Sequence, residues 1–369
     1  MDKQLSALPP DYKAKIRKKR IIFILQCLLV CVVGLLVGAG GYWVAKVEKP
    51  TWNLASWFGK QPDPPLTEQP EVVPPDPNTC PICGQIQTAL PEWRPLAITL
   101  DNTNQGRPQS GLLEADVVYE APVEGGLTRL LAIYYHGQPG KVGPIRSTRP
   151  YFLEIGQEYE AVPVHCGGSP AALQMISRQK LASIDAAKKL SVFWKSQQRR
   201  QPYNLYSSHD RLREEIGKTG NEKTVSITGR PFLSAGSSPV EGVAATSLTI
   251  NYGKNSLVKY TYDSEKQLYL REVAGKPHQD MESKQQLGAT NVIVQFVSSK
   301  VLDRQGRLEL GLTGSGQALI YTQGKKIEAT WSRTVEENRT YFRDAQGNEI
   351  PLTPGQTWIE LVPANTKVE

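Results

Sequence analysis

Two neighbouring segments of this chain, GPIRSTRPYFLEI (143–155) and VPVHCGGSPAALQMI (162–176), repeat one design. Each has a β-forming run, a short polar loop, and then a proline at the head of an apolar-periodic stretch. Ser147 or Thr148, and then Ser169, are placed to cap helices, while Pro150 and Pro170 suit a first helical turn, where a missing N–H costs nothing. The spacing predicts strand 141–145 (KVGPI), helix 149–160 and strand 161–165 (AVPVH), a unit that closes by a right-handed crossover with parallel pairing. Both loops then leave the carboxyl edge of one sheet, where helix N-termini and exposed N–H groups favour an anion. Arg146 and Arg149 in the first loop, and His165 in the second, add donors there. A plainer reading, in which caps and prolines only end strands, accounts for either loop alone; two in succession point to a site.

Around this unit PLAITLD alternates like a strand and ends in Asp101-Asn102, and DVVYEAPV and TRLLAIYYH flank Glu124-Gly125-Gly126-Leu127, a hairpin turn whose glycines tolerate positive φ. Side chains alternate along a strand, so Asp116, Val118 and Glu120 are expected on one face. SVFWK, Asn204-Leu205-Tyr206 and a helix capped by Ser208 complete an α/β sandwich with a mixed sheet over 92–230. After the linker at 229–247 come SLTINY, LVKYTYD, QLYLREV, NVIVQFVS, RLELGLT, QALIYTQ, KKIEATWSR, TYFRD and TWIELVP, up to nine strands separated by turn signals. They predict a smaller β-rich domain over 245–365 that packs on the first or meets a partner. The fold class is therefore α+β.

The motifs RPLAITLDN (94–102), RPQSGL (107–112), ADVVYE (115–120), VEGGLTR (123–129), GPIRSTRPYF (143–152), HCGGSP (165–170) and NLY (204–206) resemble the YerB-like family, whose members are described as bacterial lipoproteins of unknown function. TQGKKIEATWSR (322–333) and DAQGNEIPLTPGQTWIELVP (344–363) resemble that family's C-terminal domain. The resemblance implies the family's fold and an envelope location, and no particular activity. Its motif positions supply the candidate site: Asp101, Asn102, Arg107, Gln109, Ser110, Glu120, Glu124, Arg129, Arg146, Ser147, Arg149, His165 and Ser169.

Residues Ile21–Val44 carry no charge and are long enough as a helix to cross a hydrocarbon core of ~30 Å. The segment before them, 1–20, holds seven basic residues against Asp2 and Asp11 and keeps the N-terminus cytoplasmic. Most of the formal charge of +7 lies there, so the basic balance marks topology and excludes a nucleic-acid footprint. An uncleaved single-pass anchor is expected, with a cleaved leader near Ala39 and lipid attachment at Cys31 as the alternatives. Against the lipid stands Val30, where processing wants a small residue. Eight prolines between 62 and 81 make 45–91 an extended stalk, in which twenty residues at ~3.1 Å each span about 60 Å. Both domains then lie outside the cell membrane.

Cys80-Pro81-Ile82-Cys83 has the spacing of a zinc knuckle or a redox pair. With Cys27 and Cys31 in the membrane and only Cys166 and four histidines elsewhere, no second pair of ligands is visible, so neither metal nor cofactor is expected. A local disulfide, two free thiols, or a dimer pooling two knuckles all fit. The resemblance implies a short Asn/Thr/Gly turn at this place, making the cysteines a variation on a turn. Cys166 reads as a small buried residue.

No nucleophile elbow, metalloprotease helix, P-loop or kinase signature is present. Arginines offer planar forks for phosphate or carboxylate. The expectation is an extracytoplasmic module that binds an anionic envelope ligand, such as a wall precursor or polymer, or a carboxylate-bearing peptide. A hydrolase or transferase using His165 with Glu120 or Glu124 is the second reading, although those carboxylates also suit a structural network with the arginines. A scaffold for wall-synthesis proteins is the third.

Overall fold

The computed structural model describes residues 76–369 apart from 223, 224, 235, 240, 241, 254, 255 and 338. The expected cytoplasmic segment, the 21–44 anchor and most of the stalk lie outside the described residues. Among the described residues no helix is long and apolar enough to cross a membrane.

In the N-terminal half the elements run β1 (Leu96–Asp101), β2 (Val117–Pro122), β3 (Thr128–Tyr134), α1 (Pro150–Glu158), β4 (Val162–His165), α2 (Pro170–Gln179), β5 (Ile184–Asp185), β6 (Trp194–Lys195), β7 (Leu205–Tyr206) and α3 (His209–Lys218). The C-terminal half is built of strands: β8 (Val243–Ala244), β9 (Ser247–Asn251), β10 (Leu257–Asp263), β11 (Leu268–Val273), β12 (Lys276–Pro277), β13 (Gly288–Ala289), β14 (Asn291–Val301), β15 (Leu308–Gly311), β16 (Gly314–Thr322), β17 (Lys325–Arg333), β18 (Tyr341–Arg343) and β19 (Thr357–Pro363). All nine strands expected there form.

The two halves share one sheet. Its order is β18-β17-β16-β14-β19-β2-β3-β1-β4-β5, with β15 beside β14 and β8 beside β17. The last long strand, β19, lies parallel to both β14 and β2 and places Glu360 opposite Glu120. The C-terminal half therefore extends the first sheet, and does not merely pack upon it. A second sheet, β12-β11-β10-β9 with β13 on β11, alternates buried and more exposed residues along β10 and β11, as one covered face requires. β1 is buried at every position because both faces of its sheet are covered. Ile98, Leu100, Val118, Leu130 and Trp358 enter a core with Leu248, Val258 and Tyr269 of the second sheet and Leu212 of α3. Ala97, Tyr119, Leu131, Ile133 and Ile359 enter another, with Phe152 and Ile155 of α1 and with Cys80, Ile82 and Cys83.

Four local expectations are corrected. KVGPI is not a sheet strand: Ile145 makes an isolated antiparallel bridge to Leu100, and Arg146 N donates to Thr99 O at 2.9 Å. The parallel partner of β4 is β1, so the predicted crossover between 141–145 and 161–165 does not exist. The residue at the N-cap of α1 is Arg149, with no side-chain cap, whereas Ser169 caps α2 as expected by accepting from Ala172 N. Asp116 precedes β2 and turns away from the contacts of Glu120. The hairpin turn forms, with Gly125 and Gly126 at φ 72° and 70°.

Candidate functional site

The candidate residues gather around the carboxyl end of β1 in two linked groups. The first is a rim of arginines. Asp101, buried at the end of β1, accepts from Thr103 N at 2.8 Å through one oxygen and from Arg146 Nε at 2.7 Å through the other. Arg149 donates from Nε and Nη2 to the two oxygens of Glu124 at 2.8 and 2.6 Å, a bidentate fork. Arg129, at the start of β3, donates to Ser147 O at 2.8 Å and has no ion-pair partner among the described residues. Burial, then the charges of Arg149 and Arg146, push its guanidinium down to about 10. Tyr203 lies under the Arg146 guanidinium, 5.4 Å from ring centroid to carbon.

The second loop abuts this rim although its strand runs parallel to β1 and the 144–146 segment antiparallel. Cys166 N donates to Arg146 O at 3.0 Å, Ser147 Oγ to Cys166 O at 2.9 Å, and Thr148 N to Gly167 O at 3.1 Å. The two loops thus meet, as expected, by a different strand arrangement. His165 is only 1% exposed, with Nδ1 2.8 Å from Gly167 O and 3.8 Å from Asp185. Its Nε2 has no hydrogen-bond partner, and burial holds the ring below the usual imidazole range. It is a buried ring at the end of β4. Ser169 is occupied as a helix cap.

The second group is interior. Asn102 donates from Nδ2 to Glu120 Oε1 at 2.9 Å and to Thr128 Oγ1 at 2.8 Å. Gln109 donates to Asp101 O at 2.7 Å and to Asn102 Oδ1 at 3.1 Å, and its Oε1 lies 2.6 Å from His278 Nε2. Arg107 donates to Asn102 O and Asn104 Oδ1. Ser110 donates to Glu282 Oε1 at 2.8 Å. Glu120 accepts from Arg271, and both side chains are fully buried. Arg271 also lies 4.0 Å from Glu360, stacks 4.6 Å from the Trp358 centroid, and has His278 Nδ1 3.3 Å from Nη1. Glu360 accepts from Tyr260 at 2.5 Å and Tyr252 at 2.8 Å. Burial, then the Glu120 charge, push Glu360 up to about 7.

The three catalytic candidates are not assembled around a common point. Glu120 is in the interior network, Glu124 on Arg149, and His165 beside Gly167 and Asp185. Sequence reasoning missed Arg271, His278 and Glu360. Their signal was present: Arg271 alternates with buried Tyr269 and Val273, and Glu360 stands inside the apolar run TWIELVP, so each is a charge at an inward position. Reasoning from spacing also missed that Asp116 and His136 come up to Cys80 and Cys83, which corrects the expectation that the cysteines have no further metal-ligating neighbours. Those partners lie at the start of β2 and just past β3, too far along the chain for spacing to show.

Residues 83–222 match the family described as "Protein of unknown function (DUF3048) N-terminal domain", and residues 248–359 match its C-terminal domain. The chain is 30% identical over 291 residues to "Putative lipoprotein YerB" of Bacillus subtilis (strain 168), covering 77% of this chain and 86% of that protein. The crystal structure of the YerB protein from Bacillus subtilis superposes with a TM-score of 0.72 at 28% identity, over 79% of this chain and 99% of that one. With both domains matched in order and the fold shared, the chain belongs to the YerB-like family.

Proposed function

We propose that this chain is held at the outer face of the cell membrane by its N-terminal segment and captures an anionic envelope ligand on the Arg129–Arg146–Arg149 rim. One observation carries the binding reading: three guanidiniums stand over only two carboxylates, Asp101 and Glu124, and Arg129 is left without a counter-ion among the described residues. A partly desolvated cation of this kind gains most from a phosphate or carboxylate that can take a fork. The envelope location rests on the basic 1–20 segment before the charge-free 21–44 run and on the similarity to a protein named as a lipoprotein. Wall precursors, phosphate-bearing polymers and carboxylate-bearing peptides are the ligand class. Turnover is the weaker reading, because His165 is buried and Glu120 is committed to Arg271.

The test uses the full chain in detergent, titrated with peptidoglycan fragments and with a polyglycerol-phosphate polymer. Arg129→Gln is expected to weaken capture about tenfold to a hundredfold, since a charge-assisted hydrogen bond contributes ~1.5–3 kcal/mol. His165→Gln is expected to leave capture unchanged. Ligand recovered in altered form, with the alteration lost in His165→Gln, would replace binding by catalysis. No retention of either class would leave the scaffold reading.

A further inference from the structure

Outside the arginine rim, the described residues bring one set of soft and borderline donors together. Cys80 and Cys83 are buried, with free thiols. The Asp116 side chain is fully buried and that of His136 is 23% exposed. One donor atom from each of the four lies within 4.8 Å of all the others. We propose that Cys80 Sγ, Cys83 Sγ, Asp116 Oδ1 and His136 Nδ1 bind one zinc ion, which fastens residues 79–86 to the sheet.

The distances suit this. Tetrahedral zinc with bonds of ~2.0–2.3 Å holds its donor atoms about 3.3–3.8 Å apart. Cys80 Sγ is 3.9 Å from Asp116 Oδ1 and Cys83 Sγ is 3.7 Å from His136 Nδ1. Asp116 and His136, in contact at 2.5 Å, have to separate by less than an ångström to admit the ion, and the remaining donor atoms lie within 4.8 Å of one another. Two sulfurs, one imidazole nitrogen and one carboxylate oxygen complete four-coordination with no position open, the pattern of a structural site.

The backbone holds each ligand in place. Cys80 N donates to Gln85 O at 2.9 Å and Gly84 N to Cys80 O at 2.8 Å, closing a knuckle around Gly84 at φ 72°. Gly355 N donates to Cys83 O at 2.8 Å, tying the knuckle to the loop before β19. The other oxygen of Asp116 accepts from Tyr135 N at 2.6 Å, which aims Oδ1 at the sulfurs, as outer partners orient metal ligands. A cavity of about 300 Å³, lined by Cys83, Asp116 and His136 together with Glu114 and Gln356, reaches the cluster and gives the ion a path. Binding needs both sulfurs as thiolates and Nδ1 bare: the thiol protons leave to solvent, and the proton that Nδ1 shares with Asp116 leaves that nitrogen, so that the bound imidazole is neutral with its proton on Nε2. Metal-free, the same pocket has to bury a carboxylate and two thiols beside one imidazole. The site joins three distant parts of the chain, Cys80 with Cys83, Asp116 and His136.

The experiment takes the full chain in detergent, reduced and kept anaerobic, with thiols counted and metals measured by mass spectrometry. One zinc per chain is expected, and cobalt replacement should give a thiolate-to-cobalt band with the strong visible absorption of a tetrahedral site. Joint replacement of Cys27, Cys31 and Cys166 by Ser is expected to keep both. Cys83→Ser and Asp116→Asn should each weaken zinc by more than the roughly 10- to 100-fold that loss of an outer partner costs. The wild-type cobalt spectrum does not depend on any variant folding. Failure of the fully reduced wild type to bind zinc or cobalt overturns the proposal, and so does binding that survives both single variants unchanged. A Cys80–Cys83 disulfide in the isolated protein that, once reduced, takes up no cobalt does the same.

Discussion

The deepest commitment of this fold is the Arg271 guanidinium, which is fully buried between Glu120 and Glu360. Replacing it with Met keeps an unbranched side chain against Trp358 and removes the cation that ion-pairs with Glu120. Glu120 then retains Asn102 as a hydrogen-bond donor, and Glu360, its register neighbour on β19, retains two tyrosines. Two carboxylates on adjacent strands are left facing each other without the buried guanidinium between them. Breaking a buried pair in this way costs ~3–5 kcal/mol, a large share of the ~5–15 kcal/mol that holds a typical domain folded. Urea unfolding of the compact unit Glu68–Glu369, followed by tryptophan fluorescence, measures the loss directly. The double change Arg271→Met with Glu120→Gln removes the orphaned charge and should recover much of the stability, since neutral replacement of a buried pair is close to neutral. A loss below about 1 kcal/mol in Arg271→Met would refute the reasoning. So would a double variant as unstable as the sum of its parts, because residues in one network are expected to couple.

Glu360 is raised to about 7 in the fold, so the native state holds its proton more tightly than the unfolded chain does. Its contribution is therefore fully present below the ordinary glutamate range and is lost as pH rises through about 7; Glu360→Gln should flatten that decline in a series of unfolding curves between pH 5 and 8. Ser169→Ala removes the α2 cap and should cost ~0.5–2 kcal/mol in urea unfolding without changing ligand capture. For topology, cysteines introduced after residue 60 are expected to label in intact cells; labelling only after lysis would place both domains in the cytoplasm and sink the proposed location.

Local patterns carried much of this protein. The period-two runs and turn residues of the C-terminal half named nine of its twelve strands among the described residues, and Gly125-Gly126 marked the β2–β3 hairpin, because alternation and positive φ are properties of neighbouring residues. Ser169-Pro170 named the start of α2 for the same reason. The 141–145 segment failed because its β-forming composition does not say which strand it meets, and isolated antiparallel bridges from Val142 to Ser207, Gly143 to Ser110 and Ile145 to Leu100 replaced the expected parallel pairing.

What the tertiary structure alone decided were the partners. Composition separated an α/β half from a β-rich half, yet hydrogen bonding between β19 and β2 joined them into one sheet and set Glu360 against Glu120. Resemblance supplied Glu120 as a candidate, and only the fold supplied Arg271 from 151 residues away to make it a structural ion. Cys80 and Cys83 were visible as a pair with knuckle spacing and no metal expected; the fold brought Asp116 and His136 beside them because the start of β2 and the end of β3 meet in space. A sequence records which side chains can pair, while strand register and chain return decide which pairs are brought within a few ångströms, where charge and coordination act.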